Sequence, residues 1–382
     1  MDKNSLLVIT GEHSGDLHAA AVVREILALR PGLRISASGG RELASAGAHI
    51  LEDIGNLSVI GLSDILPNIR TYIDFYRRIR EILRHPDKRP AGVILVDFAG
   101  FNLRVAALAA KYGVPVIYLI PPKVWAWNRK RISKIRDTVT KIICIFDFEE
   151  KLFRNAGVDA VFTGNPNYDR VAAFSREHTP GRLREELGVH RDFFIGILPG
   201  SRKKEVQRIL PDCIRAADRF SRARGNCRIA VSCAPSLDPA LIESELRKEK
   251  CDAPVITGSS LEMMAEADFL IVKSGTSTLE AGLIGTPMAV VYKTSALTYR
   301  IARWLVRSSF ISLPNIILNK KAVPELIQNA CNPEHLQITL QERTTSHSLD
   351  NVRSQLRELH GHMGKEGFAA RSAAEILSGL GL

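Results

Sequence analysis

The stretch LLVITGEHSGDLHAAAVVREILAL, residues 6–29, decides the fold. Its first four residues, Leu6–Ile9, form a short apolar run of the kind that makes a buried strand. Gly11 and Gly15 punctuate a turn, and a helical pattern follows over Leu17–Leu29. A buried strand that passes through a glycine turn into a helix opens a parallel α/β unit. The pattern recurs downstream. Arg34–Ala37, Gly92–Val96, Pro115–Leu119, Lys141–Ile145 and the short Val161–Phe162 read as strands, with a helix near Asn102–Tyr112. Together they make one doubly wound unit. Tyr168–Leu187 is polar, helix-prone and contains Pro180-Gly181, and it reads as a linker. The alternation restarts with Phe193–Leu198, Cys227–Val231, Pro254–Ile256, Phe269–Val272 and Met288–Tyr292. The expectation is two Rossmann-like domains, 1–175 and 186–354, facing across a cleft. Helices over 355–382 are expected to pack back on the first domain, or on a partner's in a homodimer.

The composition agrees. At 382 residues the chain is long enough for two cores, and 45% hydrophobic with 24% charged residues excludes a disordered chain, a collagen or a disulfide-stapled miniprotein. The six cysteines form no C-x-x-C pair and no zinc-type cluster, which fits a reducing cytoplasm. The opening Met1-Asp2-Lys3-Asn4-Ser5 does not read as a signal peptide, and no apolar run is long enough to span a bilayer.

A net charge of +11 asks for an anionic partner. The excess sits in three windows. Residues 66–89 carry a net +4, residues 123–136 six basic residues, and residues 298–321 five, the last two without an acid. Each window also carries apolar or aromatic side chains. The first, with Ile65 just before it, has Leu66, Ile69, Tyr72 and Ile73 among Arg70, Arg77, Arg80 and Arg84; the second has Trp125 and Trp127; the third has Tyr299 and Trp304. Basic amphipathic segments with Trp and Tyr suit an anionic lipid surface, although a core face backed by a solvated face explains any one of them. Nucleic acid ranks lower, since no nucleic-acid-binding fold is visible.

Four turns could carry chemistry. Gly11-Glu12-His13-Ser14-Gly15-Asp16 presents backbone N–H groups to an anion, or is a tight turn with Ser14 or Asp16 as an N-cap. Asp97 ends the run Val93–Val96 and is a general base or a helix cap. Pro199-Gly200-Ser201-Arg202-Lys203-Lys204-Glu205 leads into a helix and suits a phosphate clamp centred on Arg202. Lys273-Ser274-Gly275-Thr276-Ser277-Thr278-Leu279-Glu280 is a second phosphate-type turn, with Glu280 placed to accept from a ribose diol. Two such turns in the second domain argue for a nucleotide there. No Asp-x-Asp occurs, so no metal and no cofactor is expected; Asp147-Phe148-Glu149 reads as the start of a helix.

Read together, these segments resemble the lipid-A-disaccharide synthase family, inverting glycosyltransferases of GT-B architecture. The resemblance rests on GEHSGDLH (11–18), VIGLSDILPNIR (59–70), VWAWNRKRISKI (124–135), ILPGSRKKEV (197–206), SGTSTLEAGLIGTPMAVVYK (274–293), ISLPNII (311–317) and VPELIQ (323–328). It implies transfer from UDP-2,3-diacylglucosamine to 2,3-diacylglucosamine 1-phosphate (lipid X), giving the β-1,6-linked disaccharide 1-phosphate and UDP. It implies a cytoplasmic enzyme peripherally attached to the inner membrane. It makes Asp97 and Arg202 catalytic, and Arg202, Ser274, Gly275, Thr276, Glu280 and Asn315 nucleotide-binding. Glu12, Ser14, Leu62, Ile65, Leu66, Ile69, Tyr72 and Ile73 become the acceptor and lipid side. The chain departs from the family pattern at Gly100, where a second Asp is usual, at Pro121, and at Asn165, where a His is usual. A UDP-sugar 2-epimerase of the same architecture and a non-enzymatic nucleic-acid-binding protein are the alternatives.

Overall fold

A computed structural model describes residues 2–57, 62–126, 129–258, 260–305 and 308–382; within these, the side chains of 2–3, 56–57, 62–69, 297, 301–302 and 305 lie outside the description. The chain divides into two units. The first is Met1–Pro166 with Met363–Leu382, and the second is Asn167–His362.

The first unit is built on seven parallel strands: β1 (Asp2–Ile9), β2 (Arg34–Gly39), β3 (His49–Asp53), β4 (Pro90–Val96), β5 (Val116–Leu119), β6 (Lys141–Cys144) and β7 (Ala160–Phe162), in the order β3-β2-β1-β4-β5-β6-β7. The central strand β4 is buried along its whole length, as a strand covered on both faces must be. The order reverses between β1 and β4, so the turns after these two strands meet at the switch point where such sheets bind ligands. β3 was not expected. Its alternation is broken by half-buried Leu51 and charged Glu52 and Asp53, as suits an edge strand.

The second unit has six parallel strands: β8 (Phe193–Leu198), β9 (Cys227–Cys233), β10 (Val255–Thr257), β11 (Phe269–Lys273), β12 (Met288–Tyr292) and β13 (Glu325–Ile327), in the order β10-β9-β8-β11-β12-β13. The two doubly wound sheets are the expected fold class. β13, another edge strand, had been read only as part of the VPELIQ motif.

The expected linker is corrected. The stretch is helical, as its helix-prone sequence leads one to expect, in Pro166–Glu177 and Arg182–Glu186, but these helices are docked and do not form a free tether. Acids of the second unit hold them down: Glu266 accepts from the Gly181 N–H (2.7 Å) and pairs with His178 (2.9 Å), and Asp268 pairs with Arg184 (2.8 Å). This docking moves the boundary from 175 to Pro166/Asn167. At the other end, the helix Ser346–Arg357 and the 3-10 turn Glu358–His362 stay with the second unit. The last helix, Phe368–Leu380, packs on the first unit, against the helix His13–Leu29 and on β5 and β6. Glu375 pairs with Lys141 there (2.8 Å), and Ser372 bonds Thr163 (2.8 Å).

Candidate functional site

In the first unit, the ends of β1 and β4 converge on Asp97. Asp97 and Phe98 take left-handed backbone angles (φ 45° and 46°), as does Ile120 beyond β5 (φ 58°). Side chains with a Cβ avoid this region, and a branched Ile avoids it most, so the segment is held there by its surroundings. The holding bonds are explicit. The Asp97 N–H donates to the Ile120 carbonyl (3.2 Å). The buried Tyr118 hydroxyl donates to the Asp97 carbonyl (2.6 Å). Asn102 Nδ2 donates to the carbonyls of Asp97 (2.9 Å), Val96 (3.1 Å) and Ile9 (3.3 Å), tying β1 to β4. Burial pushes the Asp97 carboxyl above the usual carboxylate range, against the charge of Lys123 and the Phe98 N–H. A raised carboxyl is a stronger proton acceptor once it is ionised, although burial makes ionisation harder.

The GEHSGD turn lies against this segment. A Cβ on Gly11 would stand 2.5 Å from the Phe98 ring, so glycine is required for the approach. Glu12 is half-buried and precedes the helix His13–Leu29; Ser14 is exposed. Asp16 is a cap, but of another helix: its buried carboxylate accepts the N–H groups of Gly40 (2.7 Å) and Glu42 (3.1 Å), at the start of Arg41–Ser45.

The helix Leu62–Arg84 brings Tyr72 to the same place, its ring 6.0 Å from Phe98 and 6.1 Å from Phe101. Phe75, Ile79 and Leu83 form its buried stripe, and Ile73 points outward, 44% exposed. Leu62, Ile65, Leu66 and Ile69 were also expected on the lipid side; their side chains lie outside the described residues.

Glu149 was missed. It sits in the helix Asp147–Arg154, as its helical reading expected, but it is buried. Trp125 of the VWAW element donates its indole N–H to it (2.9 Å), and the Ile145 N–H reaches its other oxygen (3.4 Å). Burial pushes its carboxyl up to about 7, opposed by Trp125 and by Lys123. The signal was the pairing of an acid with a Trp motif, which short-range spacing does not reveal. Because the folded state holds this proton while an unfolded Glu at about 4.5 releases it, stability contributed by Glu149 falls as pH rises from about 4.5 to about 7. Relative to Glu149→Gln, the wild type is expected to lose about 3 kcal/mol across that window and nothing further above it. Denaturant titrations at several pH values check this, and parallel curves for the two proteins would refute it.

In the second unit, Lys273 ends β11, and Arg202 lies in the turn that follows the neighbouring β8. Arg202 begins the helix Lys203–Arg224, and its Nη1 lies 3.2 Å from Glu205 Oε1. Gly275 and Thr276 are exposed at the start of the helix Thr276–Ile284. Ser274 is half-buried, with its hydroxyl donating to the Ile311 carbonyl (2.8 Å). Glu280 is buried and paired with Arg170, which sequence reasoning also missed; burial pushes its carboxyl up against that pairing.

Asn315 is fully buried and its amide is spent inside its own loop. Its Oδ1 accepts the Val323 N–H (2.9 Å), and its Nδ2 donates to the Val323 carbonyl and to Glu325 (both 2.9 Å). Glu325 also accepts the Ser312 hydroxyl (2.6 Å) and the N–H groups of Ile311 (3.1 Å) and Ser312 (2.9 Å). The SLPN and VPEL elements are thus two halves of one clamp. Asn315 shapes the loop, and both of its amide N–H groups are already used within it. Two surface hollows, near Gly113–Pro115 with Arg136–Thr140 and near Phe220–Arg224 with Gln341–Ser346, include none of these residues.

Comparison with known proteins identifies the fold and the family. Among solved structures, S. aureus MnaA with UDP matches at a TM-score of 0.66 and 13% identity, covering 99% of this chain and 97% of that one. A UDP-GlcNAc 2-epimerase from Neisseria meningitidis, bound to UDP-GlcNAc, matches at 0.57 and 10%, covering 98% and 99%. At such identities these likenesses establish the fold alone. The sequence matches go further. A lipid-A-disaccharide synthase of Myxococcus xanthus (strain DK1622) is 35% identical over 97% of this chain and 96% of its own. That of Anaeromyxobacter dehalogenans (strain 2CP-C) is 36% identical over 98% and 97%. The family model for lipid-A-disaccharide synthetase matches residues 6–377, so the chain belongs to that family.

Proposed function

We propose that the protein joins UDP-2,3-diacylglucosamine to 2,3-diacylglucosamine 1-phosphate, forming the β-1,6-linked disaccharide 1-phosphate and releasing UDP. The observation that carries this reading is the family match along residues 6–377. The chemistry divides between the units. In the first, Asp97 takes the proton from the acceptor's 6-hydroxyl as that oxygen attacks the donor's anomeric carbon. The carbon–oxygen bond to UDP breaks on the opposite face, with inversion. In the second, Arg202 and the N–H groups of Gly275 and Thr276 take up the negative charge that develops on the diphosphate. Glu280 accepts from the ribose hydroxyls once Arg170 yields them room, and Asn315 acts through the loop it fixes. The Tyr72 and Ile73 face of the helix Leu62–Arg84 receives the acceptor's acyl chains.

The fold is shared with epimerases that need no acyl chain, so the fold does not support one reading over the other. The basic-apolar segments favour the lipid reaction. Trp304 is 90% exposed on the helix Ala296–Leu305, beside exposed Arg300 and Arg303, which is the composition of a helix lying on anionic lipid. No described helix is long and apolar enough to cross a membrane. Both substrates supplied in vesicles are expected to yield disaccharide and UDP, with Trp304→Ala and Arg303→Ala together weakening sedimentation with anionic vesicles about tenfold at low salt. UDP-sugar epimerised with no disaccharide formed would overturn the reaction; equal binding to neutral and anionic vesicles would overturn the membrane part.

A further inference from the structure

We propose that Lys273 is a second cation for the donor's diphosphate, standing beside Arg202 and held in readiness by Glu205. The inference rests on the reading that the second unit takes the UDP-sugar. β8 and β11 pair in parallel, with Leu198 opposite Val272, so the residues just beyond them share one edge of the sheet. Lys273 Nζ lies 2.9 Å from Glu205 Oε1, and Arg202 Nη1 lies 3.2 Å from the same oxygen. Two cations therefore share one carboxylate, and the cluster keeps a net positive charge. The Lys273 and Glu205 side chains are each only 15% exposed, where uncompensated charge is costly and an arriving anion is favoured.

The geometry aims that charge. A Cβ built on Gly275 would sit 4.0 Å from Lys273 Nζ, so the ammonium stands over the small-residue turn whose exposed N–H end suits phosphate. The Tyr292 ring, 5.8 Å from Nζ, walls another side. Glu205 is placed to hold the cations without closing the site. Its Oε2 is buried with no hydrogen-bond partner, beneath Gly200, where a Cβ would come within 2.6 Å of it. The carboxylate thus spends one oxygen on both cations. A lysine suits this place because a compact ammonium with three donors can serve Glu205 and a phosphate oxygen together.

Calorimetric titration of the full-length protein with UDP, and with uridine by competition, tests this. Lys273→Met is expected to weaken UDP binding about 30-fold, the loss of one charge-assisted phosphate contact, and to leave uridine within about twofold. Lys273→Arg is expected to recover most of the UDP affinity. Lys273→Met binding UDP like the wild type would overturn the inference. So would an equal loss of UDP and uridine, which marks a merely structural ion pair. A wild type that binds no UDP would instead overturn the nucleotide reading on which the inference rests.

Discussion

Asp97→Asn is expected to lower turnover about 10³-fold while leaving the melting temperature equal or higher. The two halves of this result have one cause. Burial already pushes the Asp97 carboxyl above its usual range, so the folded state is working against the ionised form that a base needs. Asn removes the charge and with it that strain. It also tolerates the left-handed backbone at φ 45° better than most residues, and the bonds from Tyr118 and Asn102 go to the Asp97 carbonyl, which the substitution keeps. Loss of turnover together with a lower melting temperature would point to misfolding rather than a lost base. Wild-type turnover would remove Asp97 from the reaction.

Glu325→Ala is expected to destabilise the second unit by about 4 kcal/mol, or roughly 10 °C in melting temperature. Its carboxylate gathers the Ile311 and Ser312 N–H groups, the Ser312 hydroxyl and Asn315 Nδ2. Alanine leaves these donors without an acceptor at the start of the helix Leu313–Leu318, one of whose residues is Asn315. UDP affinity should fall with stability, since Ser274 donates its hydroxyl to Ile311 in the same loop. Differential scanning calorimetry with and without UDP checks both. Unchanged melting would show that water replaces the carboxylate at no cost, and the clamp would then have no energetic role.

The parallel sheets were legible because their central strands are apolar runs set between glycine turns and helices. β3 and β13 were not: β3 (HILED) is broken by His49, Glu52 and Asp53, and β13 (ELI) is only three residues inside the VPELIQ motif, whereas the other two edge strands, β7 (AVF) and β10 (VIT), carry no charge. The stretch 168–187 is helix-prone in sequence, but its docking is not visible there. Its helices are stable through Gly181, Arg184 and His178 bonding to Glu266 and Asp268, residues some 80 positions away in sequence. Asp97 could be placed at a strand end from sequence, and Arg202 before a helix. The partners of these residues could not. Arg170 on Glu280, Trp125 on Glu149 and Glu325 on Asn315 are encounters created by the fold, and spacing alone does not encode them. The motifs did mark the right places: SLPN and VPEL occur together because one holds the other.

The last helix has a consequence for biogenesis. Phe368–Leu380 covers β5, β6 and the helix His13–Leu29, and Leu380 presses so closely on Gly92 in β4 that a Cβ there would come within 2.5 Å of it. On the ribosome this helix emerges after the whole of the second unit. The first sheet is made early and waits, with one flank uncovered, while nearly 200 residues of independent core are translated and collapse. Its completion therefore waits on the second unit, and the waiting sheet is the species a chaperone would meet.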